Sequence, residues 1–217
     1  MHGEFGDRLL LDYGDWAGFD VPSANQRRAT RTQEMRSRRD ELLQNYDAIH
    51  GHFIADKYLG LFPTEDFVAF FRDPYQQALS HYWFLVRNPQ REHPEEKMLH
   101  DAKMTLHDYL AWDAFRNQQR QYLGSLSIDD FAMVGISEEF YKSVDLFNST
   151  FGCNLRGHSF LNVNPDHQGA DYLIDQDVRK AVEKYRPADV ELYRRAKEIF
   201  ARQTRQARAM SSTSQGA

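Results

Sequence analysis

The 217 residues suit a single domain with a sizeable core. Acidic residues outnumber basic ones 32 to 27, for a net charge of −5, so the basic excess of a nucleic-acid binder is missing. With Cys153 as the only cysteine, neither an intrachain disulfide nor a cysteine-based zinc cluster can form. No apolar run is long enough to span a bilayer, and the N-terminus lacks the charged-then-apolar pattern of a signal peptide, so a cytoplasmic protein is expected.

Leu9 to Tyr13 reads as a short strand between Gly6 and Gly14, followed by a turn-rich link over 15–24 with Trp16, Gly18 and Pro22. Residues 25–46 favour a helix whose six arginines alternate with acids. Mixed signs usually mark a solvated face; binding of an anionic glycan is the lesser alternative. Asp47 to Phe53 is a second strand candidate and contains His50-Gly51-His52. Phe67 to Phe71 is an apolar run suited to a strand buried on both faces. Arg72-Asp73-Pro74 ends it, with Asp73 a natural N-cap and Pro74 suited to the first helical position. Tyr75, Ala78, Leu79, Tyr82, Leu85 and Val86 then recur at helical spacing and are expected to pack on the sheet, with Ser80 pointing elsewhere.

Beyond a polar link around Pro89 and Pro94, Thr105 caps an apolar helical pattern and residues 117–123 form another short segment. Phe131 to Ile136 is a third apolar run, with Ser137 expected to cap a helix over 138–151 whose Phe140, Val144 and Phe147 face the core. Asn162 to Pro165 reads as a plain turn. Two helices separated at Pro187 fill 175–206, and Leu192, Tyr193, Ala196, Ile199 and Phe200 form the buried stripe of the second. The domain is expected over 1–207, with a disordered tail over 208–217. Strands alternating with helices predict an α/β protein, a small parallel sheet flanked by helices.

Two places carry chemistry. An imidazole near neutral pKa suits the removal of a proton from a hydroxyl. His50 and His52 could do this, could ligate a metal, or could be ordinary strand-end residues, and the glycine between them leaves room for a ligand to approach. A guanidinium and a hydroxyl, as in Arg72 and Ser80 eight residues on, suit one phosphate through charge, parallel donors and a rotatable donor. On spacing alone the plainer reading, an Arg–Asp surface pair and a solvent-facing serine, is favoured.

The segment Arg72-Asp73-Pro74 with Ser80, followed by His81-Tyr82-Trp83-Phe84, resembles the 3′-phosphate-binding segment of sulfotransferases that use 3′-phosphoadenosine-5′-phosphosulfate (PAPS), in their carbohydrate-type and bacterial branch. Gly51-His52-Phe53, residues 117–123, Val134-Gly135 with the Glu-rich helix, Asn162-Val163-Asn164, and Tyr185 to Phe200 also resemble that family, though Gln121 stands where the family has arginine. The resemblance implies that Arg72 and Ser80 hold the nucleotide's 3′-phosphate and that His52, or else His50, is the base for an acceptor hydroxyl. It implies PAPS as donor, no metal, and a carbohydrate or small-molecule acceptor; the charge balance and the short apolar runs lead to no expectation of a nucleic-acid or membrane partner.

The family's Gly-rich Lys-Ser/Thr loop, which wraps the 5′-phosphosulfate, has no counterpart in the sequence, and Met1 to Phe5 resembles the last turn of the helix that follows it. The expected fold is therefore the P-loop-like sulfotransferase fold without its first strand, loop and helix. Truncation is the favoured explanation, and a non-catalytic nucleotide- or glycan-binding protein the alternative. Either way, catalysis by these residues alone is expected to be impaired.

Overall fold

The structure, a computed structural model, describes residues 2–13, 15, 21–89, 94–156 and 171–214. The expected turn at Asn162 to Pro165 lies outside these residues, as do residues 16–20 of the expected 15–24 link, while 21–24 are helical rather than part of a link. After a single turn of helix α1 (His2–Phe5), strand β1 (Leu9–Asp12) pairs in parallel with β2 (Ala48–Gly51), Leu9 opposite Ala48 and Asp12 opposite Gly51. Between them run α2 (Val21–Ser37) and α3 (Arg39–Asn45), separated at Arg38, so the single expected helix is two. Leu42 of α3 is buried against Tyr58 and Leu61.

Strand β3 (Val68–Phe71) pairs in parallel with β4 (Met133–Ile136), Val68 opposite Met133. The protein is α/β, but its described strands form two separate two-stranded parallel sheets where the sequence predicts one. Apolar runs announce strands without announcing which edges they share. β4 is buried along its whole length, as a strand covered on both faces must be. β3 differs from expectation: Phe71 is buried while Phe70 remains 43% exposed. The Phe70 ring folds over Gly135, where an added Cβ would lie 2.7 Å from it, so that glycine serves packing.

Helix α4 (Pro74–Arg87) begins as expected, with Asp73 Oδ1 accepting from the N–H groups of Tyr75 at 2.9 Å and Gln76 at 3.1 Å. Its apolar stripe does not pack on a sheet. Ala78, Tyr82 and Leu85 meet Leu99 of α5 (Pro94–Asp101), Tyr109 and Leu110 of α6 (Leu106–Ala111), and Ala181 and Val182 of α9 (Gln176–Tyr185). A helical period reveals that a face is buried but not what covers it. Thr105 does cap α6, in a reciprocal box with Asp108.

The main core lies around β3 and β4. α8 (Phe140–Phe151) contributes Leu146 and Phe147, and α10 (Pro187–Ser214) contributes Leu192, Tyr193, Ala196, Ile199 and Phe200, the expected stripe. Ser137 makes no cap for α8, whose N-cap is Glu139, and Phe140 is 37% exposed, against the expectation of a core position. α10 continues through 208–214, where disorder is expected from composition; Ala207, Arg208, Ala209 and Met210 are good helix formers with no breaker among them. α7 (Gln118–Leu123) packs against α10 and against the turn at Ala55–Lys57. Among the described residues no helix is long and apolar enough to cross a membrane.

Candidate functional site

The site is built from the carboxyl ends of β2 and β3, where the chain leaves each parallel pair. At β2 the close approach at Gly51 is made by the neighbouring strand and not by a ligand: an added Cβ would sit 1.7 Å from the Asp12 carbonyl oxygen. One residue on, His52 lies edge-on to the Tyr13 ring, centroids 5.3 Å apart, with the Tyr122 ring at 5.9 Å. His50 meets Tyr13 at 6.0 Å. Both imidazoles keep contact with solvent, yet the surrounding protein lowers their pKa through burial, and the charge of His52 lowers that of His50 further. His52 is therefore neutral at pH 7, the form that accepts a proton. Among the described residues no carboxylate hydrogen-bonds to either ring.

The segment beyond His52 is anchored by a buried ionic cluster that the sequence does not announce. Lys57 Nζ lies 2.7 Å from Asp12 Oδ2 and 2.8 Å from Asp15 Oδ1, the latter an ion-pair distance without hydrogen-bond alignment. Tyr58 Oη donates to Asp12 Oδ2 at 2.8 Å, and the Ile54 N–H donates to Asp15 Oδ2 at 3.0 Å. Burial, with the Asp12 carboxylate next, pushes the Tyr58 phenol well above its ordinary pKa. Beside the cluster is a cavity of about 240 Å³ lined by Asp15, Thr32, Asp56, Lys57 and Gln121. Ligand pockets begin at roughly 300 Å³, so this one is too small for a nucleotide.

At β3 every backbone donor of the turn is taken. The Arg72 N–H donates to Gln119 Oε1 and the Arg72 carbonyl accepts from Gln119 Nε2, both at 2.9 Å. The Asp73 N–H donates to Glu138 Oε1 at 2.9 Å, and Glu138 Oε2 also accepts from Tyr193 Oη. Asp73 itself occupies the first amides of α4. The helix terminus therefore offers no open amide to an anion, and whatever binds here must use side chains. The Arg72 guanidinium, partly exposed, has no hydrogen-bond or ion-pair partner among the described residues. Ser80 is partly buried one turn above Gln76 and Gln77; Gln76 exchanges two hydrogen bonds with the Tyr172 backbone, and Gln77 joins Gln118 and Arg186. No hydrogen bond joins Arg72 and Ser80.

The two strand ends meet on α7. Gln119 holds the Arg72 peptide and Tyr122, three residues later on the same turn, lies against His52. α7 is in turn locked to α10 by exchanged caps. Asp189 accepts from the N–H groups of Arg120 at 2.8 Å and Gln119 at 3.4 Å, while Asn117 Oδ1 accepts from Ala188 at 3.0 Å and Asp189 at 3.3 Å. Burial raises the Asp189 carboxyl pKa, and the N–H donors from α7 act against that rise. Asn117 has φ +48°, a left-handed conformation that asparagine tolerates better than most residues. Sequence reasoning missed Gln119, Asp189 and Lys57; the only local signal was a lysine inside the mostly apolar Ile54 to Leu61 stretch. Among the described residues no group of three or more His, Cys, Asp or Glu side chains could hold a metal ion. Comparison of the chain with protein-family models, curated proteins and solved structures returns no match.

Proposed function

We propose that the chain is a sulfotransferase-like protein of the cytoplasm that binds the 3′-phosphate of PAPS through Arg72 and Ser80. The observation that carries this reading is the Arg72 guanidinium at the carboxyl end of β3, unpartnered among the described residues, on a backbone whose N–H and carbonyl are both held by Gln119. A guanidinium gives two parallel donors to a phosphate, and a pre-fixed backbone lowers the ordering entropy that binding must overcome. PAPS supplies the sulfuryl group. His52, neutral at pH 7, would take the proton of an acceptor hydroxyl on a carbohydrate or small molecule as that oxygen attacks sulfur.

A second reading is a nucleotide- or glycan-binding protein without turnover. It is favoured by one observation: no Gly-rich Lys-Ser/Thr loop that could grip the 5′-phosphosulfate appears in the sequence. The enzyme and the nucleotide-binding form of the second reading share the 3′-phosphate site, so the test addresses that first. Calorimetric titration with adenosine-3′,5′-bisphosphate is expected to show binding that Arg72→Ala and Ser80→Ala each weaken. Arg72→Ala should weaken it by about 10- to 100-fold, the worth of a charge-assisted hydrogen bond. A folded wild type that binds no bisphosphate, or an Arg72→Ala variant that binds as well as wild type, refutes the reading. Turnover of PAPS then separates the enzyme from the binder.

A further inference from the structure

The ladder between β3 and β4 ends at Phe71 opposite Ile136, so the peptide groups of Arg72 lie just beyond sheet pairing. Gln119 takes their place. Its amide accepts from the Arg72 N–H and donates to the Arg72 carbonyl, both at 2.9 Å, as a neighbouring strand would. The Arg72 side chain has no lateral anchor among the described residues, so its direction is set by the backbone from which it springs. Gln119 is itself fixed, because its own N–H and that of Arg120 are held by the fully buried Asp189. One turn further, Tyr122 contacts His52.

Resting on the nucleotide reading above, we propose that Gln119 is the positioning residue of the anion site: it aims Arg72 at the 3′-phosphate and, through α7, keeps that aim in register with His52. Hydrogen-bonded side chains behind a binding group commonly set its geometry, and small losses of alignment there lower affinity.

The test is a double-mutant cycle on bisphosphate affinity, with Gln119→Met preserving length and volume while removing both hydrogen-bonding groups. In the wild-type background Gln119→Met is expected to weaken binding about tenfold, with cooperative unfolding retained. In the Arg72→Ala background the same substitution should change affinity less than about twofold, since no guanidinium remains to be aimed. A merely structural role would weaken both backgrounds equally. That outcome, or binding by Gln119→Met within about twofold of wild type, overturns the assignment and leaves the nucleotide reading standing. A wild type that binds no bisphosphate overturns the nucleotide reading and this assignment with it. Should Gln119→Met fail to fold, Gln119→Asn keeps the amide but withdraws it by one methylene, and is read in the same two backgrounds.

Discussion

Replacing Lys57 by methionine tests how the His52 end of the molecule is held. Lys57 is 2% exposed and faces Asp12 and Asp15, themselves 8% and 4% exposed. A buried ion pair adds little over a well-packed apolar substitute, because desolvation offsets the attraction. Removing only one partner is another matter, since it strands the opposite charge. Such losses run at roughly 3–5 kcal/mol. Here two carboxylates would be left, partly compensated by the Tyr58 hydroxyl, the Ile54 N–H and Arg31 at 3.9 Å from Asp15. We expect Lys57→Met to lose about 4 kcal/mol in urea unfolding at pH 7 with an unchanged slope. For a chain of this size that corresponds to a fall in Tm of roughly 8–16 °C. Adding Asp15→Asn removes one stranded charge while keeping an acceptor for Ile54, so the double variant should recover about 1–2 kcal/mol relative to the single one. A Lys57→Met variant within about 1 kcal/mol of wild type, or a double variant no better than the single, refutes the argument.

Two further outcomes follow from the same end of the fold. Gly51→Ala places a Cβ into the Asp12 carbonyl and should separate β1 from β2, with a loss of at least about 3 kcal/mol in the same urea assay; a loss below about 1 kcal/mol would show that the strands do not approach as described. His50 and His52 have pKa values lowered by burial, so between those values and the ordinary 6.5 the unfolded chain binds more protons than the folded one. Stability should therefore rise with pH through that window and fall as the solution is acidified below about 6.5. Imidazole NMR titration checks the cause directly, and a His52 that titrates above 6.5 contradicts it.

Much of the local structure was legible from residues a few positions apart. Asp73 and Pro74 start α4, Thr105 and Asp108 box the start of α6, and the stripe from Leu192 to Phe200 is buried, because caps and helical periods are written within one or two turns. The candidate site was legible only as separate pieces. His52 and Arg72 stood out as chemistry at strand ends, with nothing local to say that one short helix touches both. The glycine at position 51 was visible too, but its reason, the backbone of β1, came from pairing 39 residues away.

By itself, the sequence determined the four strands, the starts of α4 and α6, the buried stripe of α10 and which side chains could carry charge or take a proton. Only the tertiary structure decided that the strands form two parallel pairs, that the α4 stripe meets helices, and that Gln119 clasps the Arg72 peptide 47 positions away. It also decided that Lys57 is neutralised by carboxylates from the other side of α2 and α3. The physical reason is common to all of these. Each is a contact between groups far apart in the chain, apolar for the α4 stripe and polar for the others, that chain closure and no neighbouring residue brings within reach.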